Sequence, residues 1–417
     1  MVEDPFRMEP MKLPVIGEEL TDAIADLSAS VATLGQALHP ATARGLADLV
    51  RVMNCYYSNL IEGHNTRPRD IMTALKLDAK EGGQDGKVLV GMEDRDGAYR
   101  NLVLEAVAHI RVQENIDRMA AAGVLPEPAS ADFVKGVHQD FYSGLPRDML
   151  HITGAGRDFY MVPGEFRSQE MHDVQVGAHI PPASDSVEAF MQRFAEVYRL
   201  EGGRMGGGIL SMAAAHHRFA FIHPFADGNG RVVRLLSHSM AHKIGIGAHG
   251  LWSVSRGLAR GHDVGLEGRG EYKRLLARAD MPRQGDLDGR GSLSQRALAE
   301  WCLWFVKVCL DQVTFMASLF DLNTLADRLR RYVRLHDDKL PAVAGDLLVE
   351  MLMRGEIERG EIPRILQMPE RSARRVTAML AVMDLIEAES SRGAFHLTFP
   401  AVALEDLFPR LFPAAAA

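Results

Sequence analysis

The sequence predicts a mostly α protein. Over most of the chain apolar residues recur every three or four positions, for example in residues 46–61 and 102–110, and this is the period of an amphipathic helix. Residues 154–182 and 390–399 depart from it, because glycines, prolines and isolated valines or phenylalanines there predict short β-hairpins. A chain of 417 residues has room for two or three domains.

The composition and the net charge argue against some classes of binding partner. Hydrophobic residues make up 47% and charged residues 24% of the chain, which are ordinary values for a globular protein. The net charge of -8 and the isoelectric point near 6.1 argue against a general nucleic-acid-binding or anionic-membrane surface. No uninterrupted apolar run approaches the roughly 20 residues that span a bilayer, so we expect no membrane association.

Cysteine usage and the N-terminus predict a cytoplasmic protein. The three cysteines form no CxxC pair, which suits a reducing compartment. The first residues, MVEDPFRMEPMKLP, are acidic and interrupted by proline, unlike a signal peptide.

Residues 223–234, HPFADGNGRVVR, carry the strongest chemical signal. His223 has the side chain whose ordinary pKa lies nearest neutrality, so it can take a proton from an attacking hydroxyl. Asp227 offers the hard oxygen ligands that Mg²⁺ prefers when it also keeps phosphate ligands.

The second half of this stretch predicts an anion site. Gly228, Asn229 and Gly230 can expose consecutive backbone N–H groups, because glycine has no Cβ in the way. The residues that follow predict a helix, whose positive N-terminus would point at the same anion. Arg231 and Arg234 share a face of its first turn, where two guanidinium groups can hold a polyphosphate.

Residues 223–234 resemble the Fic family signature, His-x-Phe-x-Asp/Glu-Gly-Asn-Gly-Arg-x-x-Arg, at every specified position. About eight fixed positions make this match far more specific than a lone GxGxxG. The resemblance implies a Fic-type helical core with a short β-hairpin flap. It also implies Mg²⁺-dependent transfer of AMP from ATP to a Ser, Thr or Tyr hydroxyl of a protein, which is called AMPylation.

The resemblance implies a role for each motif position. His223 would be the base, Asp227 the Mg²⁺ ligand, and Phe225 the anchor of the loop in the core. Gly230 separates this chain from a kinase-type branch of the family, which has lysine there and binds its nucleotide in reverse. The rest of the motif would bind ATP. Asn229 and the backbone amides of Gly228 and Gly230 would hold the region of the α-phosphate. Arg231 and Arg234 would bind the β- and γ-phosphates.

A second motif lies at the end of a helix predicted near residues 42–63. Ser58, Glu62 and Gly63 match the constrained positions of the Ser/Thr-x-x-x-Glu-Gly/Asn inhibitory motif of the Fic family, and Gly63 is placed to end the helix. By this resemblance the helix is inhibitory. A carboxylate that reaches the site can pair with an arginine meant for the γ-phosphate, so we expect Glu62 to pair with Arg234 and to keep activity low.

We divide the chain into three parts. Residues 1–95 form an N-terminal helical region, and residues 96–335 form the Fic core with a flap at about 160–180. Residues 340–417 read helix, short helix, helix and hairpin, which predicts a winged helix–turn–helix like that of many Fic proteins. Residues 354–392 hold seven arginines and seven acids, so DNA binding is less favoured here than a protein-contact or dimerisation role.

The expected partners are ATP and a protein target, and self-modification and a homo-oligomer stay open. Three other functions stay open as well. They are removal of AMP from a modified protein by the same site, transfer of another group such as UMP or phosphocholine, and nucleotide sensing by a DNA-binding regulator.

Two further histidines have the spacing of metal ligands. His238 and His242 are four residues apart on a predicted helix, which places them on one face. The sequence shows no third ligand or HExxH frame beside them, which favours a core or surface role over a metal site.

Overall fold

The computed structural model describes residues 3–36, 38–80, 97–200, 205–260 and 268–413. The segment that begins at His223 and carries the HPFADGNGRVVR motif is called the active loop. The helices before it are α1 (Glu18–Gln36), α2 (Pro40–Ile61), α3 (Pro68–Lys80), α4 (Gly97–Ala121), α5 (Ala131–Tyr142), α6 (Val187–Tyr198) and α7 (Met205–Ile222). Those after it are α8 (Asn229–Lys243), α9 (Val254–Arg260), α10 (Gly268–Ala279), α11 (Gln295–Leu319), α12 (Leu322–Leu335), α13 (Val343–Arg354), α14 (Ile362–Ile365), α15 (Glu370–Val382) and α16 (Leu404–Leu407). The strands are β1 (His151–Gly154), β2 (Arg157–Tyr160), β3 (Glu356–Ile357), β4 (Ile386–Glu387) and β5 (Phe395–Leu397). The predicted mostly α fold class is confirmed.

The helices α7 and α8 pack against each other and flank the active loop. α7 is apolar on nearly every side, and Ile209, Ala213 and Phe219 are completely buried, as expected of a helix surrounded by other helices. It also packs against α6 and α11. The helix ends before Pro224, because proline disfavours a helical conformation at the residue before it. The residue before Pro224 therefore begins the loop.

The helix α11 has the length and composition of a membrane-spanning helix, although charged residues interrupt its sequence. More than half of its most apolar part is buried inside the protein, and Trp301 and Phe305 are completely buried. It packs on α1, α7 and α9. In this fold α11 is therefore a core helix.

The helix α2 lies between the core helices and the C-terminal region. His39 caps its N-terminus by accepting a hydrogen bond from the backbone of Ala41, and the proline that follows His39 suits the first helical position. One side of α2 packs on α4 and α9. On the other side Thr42 Oγ1 donates to Leu352 O (2.8 Å), near the start of α2, and the hydroxyl of a tyrosine in its last turns donates to Leu411 O (3.0 Å).

The predicted β-hairpin exists, but it lies earlier in the chain than about 160–180. Strands β1 and β2 pair antiparallel, with Gly154 opposite Arg157, so Ala155 and Gly156 alone form the turn. Their φ values of 52° and 82° are both positive, as in the type I′ turns that fit the twist of two-residue hairpins. Residues 161–180 hold a short 3₁₀ helix and a single bridge instead. The prediction was wrong in position because Ala-Gly lacks the Asn-Gly or Asp-Gly signal of this turn.

The C-terminal region follows the predicted order of helices α13, α14 and α15 and a hairpin of β4 and β5. The short strand β3 joins them in an antiparallel sheet of order β3-β5-β4. Its classification as a winged helix–turn–helix stays a prediction. One hydrophobic cluster extends from Met8 to Phe412, so the three predicted parts share a core. The predicted boundary near residue 95 lies outside the described residues.

Candidate active site

His223 follows the last residue of α7 and begins the loop that leads to α8. Its φ of 50° is uncommon for a residue other than glycine, and its backbone N–H still donates to Phe219 O (2.9 Å). Burial, followed by the charge of Arg167, lowers the pKa of His223 to about 4. The imidazole is therefore neutral at pH 7 and can accept a proton.

Arg167, which no sequence pattern indicated, holds the backbone of this loop. Its Nε donates to His223 O (2.7 Å) and its Nη2 donates to Ile222 O (3.0 Å). The backbone N–H of Arg167 donates to Pro224 O (2.9 Å). The residue is buried, and Asp173 lies near its guanidinium. Three bonds to three consecutive residues thus position the backbone from which the imidazole projects.

Phe225 anchors the loop in the core. It is completely buried, and its ring stacks on His138 at a centroid distance of 3.9 Å. The side chain of Asn229 braces the same turn, because Asn229 Nδ2 donates to Phe225 O (2.8 Å) and Asn229 Oδ1 accepts from Phe225 N–H (2.9 Å). Sequence reasoning assigned Asn229 to the α-phosphate. In this structure its amide shapes the loop, so any contact of Asn229 with phosphate would use its backbone N–H.

Asp227 lies on the solvent side of the loop. Its carboxylate is exposed, and Tyr142 donates a hydrogen bond to Asp227 Oδ2 (3.4 Å). Gly228 follows with a φ of 79°, and a Cβ at this position would overlap the ring and hydroxyl of Tyr142. Glycine is therefore required at position 228 both by its conformation and by the close approach of Tyr142.

The N-terminus of α8 lies where the glycines predict an anion site. The backbone N–H groups of Asn229, Gly230 and Arg231 belong to the first turn, where a helix has no intrahelical acceptor for them. The side chain of Glu62 lies beside this turn in the structure, since a Cβ on Gly230 would overlap Glu62 Oε1. A carboxylate is stabilised at the positive end of a helix dipole for the same reason that a phosphate is.

Arg234 connects α8 to the predicted inhibitory helix. Its Nη2 lies 2.7 Å from Glu62 Oε1, and its Nε donates to Ser58 Oγ (2.9 Å). The Arg234 side chain is 1% exposed, whereas that of Glu62 is 35% exposed. Burial raises the pKa of Glu62, but the charge and hydrogen bond of Arg234 outweigh burial and lower it below its usual value. Glu62 is therefore ionised at neutral pH.

Gly63 ends α2 in a geometry that leaves Glu62 at the helix terminus. Gly63 has a φ of 92°, and its N–H donates to Leu60 O (3.1 Å) while the next N–H, of His64, donates to Asn59 O (2.9 Å). This pair of bonds is a Schellman motif, which glycine favours because of its positive φ. Glu62 is thus the last residue before the chain turns away.

Arg231, which the resemblance assigns to a phosphate of ATP, already has protein partners in the structure. Its Nη2 lies 2.8 Å from Glu105 Oε2 and its Nη1 donates to the Tyr142 hydroxyl (3.0 Å). Its Nε is buried with no hydrogen-bond partner among the described residues. A buried donor without a partner is rare, and an oxygen ligand at this position would satisfy it.

The residues present fit Mg²⁺ and the phosphates of ATP. Asp227 supplies an exposed carboxylate, and Mg²⁺ usually takes one or two protein carboxylates together with water and phosphate oxygens. The first turn of α8 and the unpaired Nε of Arg231 supply donors for phosphate oxygens. Both fits rest on donor chemistry and on these orphaned groups.

The structure brings the predicted residues of the active loop and of the inhibitory motif at residues 58–63 into one site. Sequence reasoning missed the residues that support them: Arg167, Glu105, Tyr142 and His138. Each lies far from the active loop in sequence, and none has a spacing or motif that could have indicated it.

Comparison with known proteins shows what the part of the chain that holds this site is similar to. Residues 128–241 match the family model described as the Fic/DOC family. The chain is 38% identical over 96 residues to the protein adenylyltransferase Fic of Drosophila mojavensis, which covers 23% of this chain and 18% of that protein. The Drosophila melanogaster protein of the same name is also 38% identical over 96 residues, with 23% and 19% covered. Residues 128–241 are therefore similar to a Fic domain.

The match to these relatives is confined to part of each chain. This chain spans about a fifth of the length of the curated relatives it matches. Among solved structures, a Fic family protein from Desulfovibrio desulfuricans G20 aligns over 93% of this chain and 98% of its own, with a TM-score of 0.49 and 17% identity.

Proposed function

We propose that this protein transfers AMP from ATP to a Ser, Thr or Tyr hydroxyl of a protein, and that Glu62 restrains the reaction. One observation carries the proposal. A neutral, half-buried His223 and an exposed Asp227 flank the N-terminus of α8, within residues 128–241, which match the Fic/DOC family model. Proteins named as Fic adenylyltransferases are 38% identical to this chain over 96 residues. A general base, a site for a cation and a site for phosphates are the groups that nucleotidyl transfer needs.

The reaction can be assigned to these residues step by step. His223 takes the proton of the target hydroxyl as its oxygen attacks the α-phosphorus in line. The bond from the α-phosphorus to the bridging oxygen breaks, and pyrophosphate leaves with that electron pair. Mg²⁺ held by Asp227 and phosphate oxygens would neutralise the charge that develops on the leaving group. The N–H groups of Asn229 and Gly230 would bind phosphate oxygens.

Glu62 restrains the reaction by occupying the positive end of α8. Its carboxylate lies against Gly230 and pairs with Arg234, so a phosphate of ATP would have to displace it from both. Two negative groups cannot share this position without a large electrostatic cost. Binding of ATP in the productive position therefore requires the end of α2 to move, or the Glu62 side chain to change its rotamer.

The β1–β2 hairpin is the element best placed to bind the target. It forms a two-stranded sheet, so each strand has an edge of unpaired backbone groups that an extended segment can join. Its second strand is followed closely by Phe166, whose ring lies 5.1 Å from that of Phe225 in the active loop. Such pairing would present a hydroxyl with little dependence on target sequence.

The first experiment compares protein labelling from ATP that carries its label on the α-phosphate or on the γ-phosphate. Wild type, Glu62→Gly and His223→Ala are incubated with Mg²⁺, either alone to detect self-modification or with a cell lysate. His249→Asn is the matched control, because His249 is an exposed histidine outside the active loop. We expect α-label on protein, more of it with Glu62→Gly, none with His223→Ala, and a wild-type level with His249→Asn.

Other outcomes would contradict specific parts of the proposal. Label from the γ-position would mean phosphoryl transfer and would overturn AMP transfer. Label that survives His223→Ala would remove His223 as the base. Equal labelling by wild type and Glu62→Gly would show that Glu62 is not an inhibitor. Loss of AMP from a pre-modified protein, without any labelling from ATP, would establish the reverse reaction instead.

We also propose a cytoplasmic location. The three cysteines, Cys55, Cys302 and Cys309, are buried and unpaired, which fits a reducing compartment. Their thiols are kept protonated, since burial raises their pKa values.

A further inference from the structure

Three metal-ligand atoms converge where the last turns of α8 meet α4. Asp117 Oδ1 lies 2.6 Å from His238 Nε2 and 3.0 Å from His242 Nε2, and the two Nε2 atoms are 3.2 Å apart. We propose that Asp117, His238 and His242 bind a divalent first-row transition metal ion, with Zn²⁺ as the fitting example. The structure supplies the third ligand that the sequence did not show, because Asp117 is 121 residues away from His238.

Hydrogen bonding alone accounts poorly for this arrangement. An ionised carboxylate only accepts, so both histidines must carry their proton on Nε2 to bond to the same oxygen of Asp117. Two N–H groups then face each other across 3.2 Å. If one Nε2 instead accepts from the other, its lone pair faces the carboxylate oxygen. A cation bound by all three lone pairs removes this conflict.

The ligands have the support that metal sites have around them. The second oxygen of Asp117, Oδ2, accepts from Arg51 Nη1 (2.8 Å), and Arg51 also pairs with Asp48. Outer contacts of this kind orient a ligating carboxylate, and Asp48 offsets the positive charge of Arg51 near the ion. The side chains of His238, His242 and Asp117 are 7%, 9% and 12% exposed, so the cluster is shielded but reachable from solvent.

The donor set selects the class of ion. Two imidazoles and one carboxylate suit Zn²⁺ and its first-row neighbours better than Mg²⁺ or Ca²⁺, which prefer oxygen ligands alone. Around a tetrahedral Zn²⁺ with bonds of about 2.0–2.1 Å, ligand atoms lie about 3.3 Å apart. The three pairs of atoms here would have to separate by between about 0.1 and 0.7 Å to reach that spacing.

The ion would fasten the helix that carries the active loop. His238 and His242 lie on α8, Asp117 on α4, and Arg51 extends the contact to α2. His242 is about 16 Å along α8 from Arg231, so the ion is separate from the nucleotide site. It would act as a structural link that holds the C-terminal end of α8 while its N-terminal end binds phosphates.

The test uses the full chain, with any affinity tag removed and any bound metal extracted by a chelator. Co²⁺ is titrated while its visible absorption is recorded, and Zn²⁺ is then added to displace it. We expect saturation at one ion per chain. Zn²⁺ at a hundredfold excess over its Kd should raise the Tm by about 3 °C for a chain of this length.

The key variant is His242→Gln, and His249→Asn is its matched control. His249 is an exposed histidine near the cluster with a φ of 55°, which asparagine tolerates. We expect His242→Gln to lose the Co²⁺ spectrum and the Tm shift, and His249→Asn to keep both. The proposal is overturned if wild type shows no saturable binding, if His242→Gln binds as wild type does, or if His249→Asn loses binding equally.

A measurement on wild type alone covers the case in which His242→Gln does not fold. With ¹⁵N-labelled histidine, Zn²⁺ should move the Nε2 resonances of two of the 16 histidines and leave the others in place. Movement of none, or of many histidines at once, would contradict a single site at His238 and His242.

Discussion

Replacement of Glu62 by glutamine tests the proposed restraint most directly. Glutamine keeps the size of the side chain and one acceptor oxygen, but it removes the charge that Arg234 and the N-terminus of α8 now bind. In wild type a phosphate of ATP must displace this carboxylate, whereas in Glu62→Gln it displaces only a neutral group. ATP should therefore bind more tightly to the variant.

The size of the gain follows from the contacts. A hydrogen bond to a charged partner contributes about 1.5–3 kcal/mol. For the bond between Arg234 and Glu62 we take the lower end of this range, because 35% of the Glu62 side chain is exposed to solvent. A gain of about 1.5 kcal/mol corresponds to an affinity about tenfold higher. Glu62→Gly should gain at least as much, since it also clears the space over Gly230.

The assay is calorimetric titration of ATP with Mg²⁺ into wild type, Glu62→Gln and Ser58→Ala. Ser58→Ala is the matched control, because it removes another partner of Arg234 but leaves the Glu62 charge in place. We expect no gain in affinity from it. An unchanged or lower affinity in Glu62→Gln, or an equal gain in Ser58→Ala, would refute the argument that the Glu62 carboxylate competes with phosphate.

Three further predictions concern the active loop. First, the pKa of His223 is about 4, below the ordinary 6.5, so the neutral base should persist as the pH falls and be lost only near pH 4. We therefore expect kcat/KM to stay nearly constant from pH 7 to pH 5.5. A fall of kcat/KM centred at pH 6.5 would contradict this prediction. Second, Arg167→Lys keeps the positive charge but loses the forked guanidinium donor, so the loop backbone should shift. We expect kcat to fall by about 10–100-fold and the affinity for ATP to be retained. A lower affinity for ATP at unchanged kcat would contradict a role of Arg167 in positioning His223. Third, Gly228→Ala should lower the free energy of unfolding in urea by more than about 1 kcal/mol, because of its φ of 79° and the overlap with Tyr142. Gly270→Ala, a helical position with open space around it, should be neutral or stabilising, and equal losses in both would rule out the steric explanation.

Local pattern predicted the features of this protein that depend on residues close together in the chain. The three- and four-residue apolar spacing predicts the helices, since each turn of a helix must bury the same face. The order of elements after residue 340 can be read in the same way. The chemistry of residues 223–234 can also be predicted from the sequence, because the base, the acid, the glycines and the arginines all lie within twelve positions.

The position of the hairpin shows the limit of that reading. Ala155 and Gly156 form a turn with two positive φ values, but alanine in a sequence does not indicate a turn of this kind. The valines and glycines that suggested strands at about 160–180 lie instead in irregular backbone. The strands that pair, β1 and β2, thus lie earlier in the chain than the local strand propensity predicted.

The sequence by itself determined the helical class, the motif of the active loop and the end of α2 at Gly63, because these follow from short-range spacing and backbone conformation. Only the tertiary structure decided which distant groups surround that loop. The contact of Arg234 with Glu62 joins residues 172 positions apart, Arg167 reaches His223 across 56, and Asp117 meets His238 across 121. No period or motif encodes such separations. They are set by the packing of whole helices, which brings together side chains that the sequence keeps far apart.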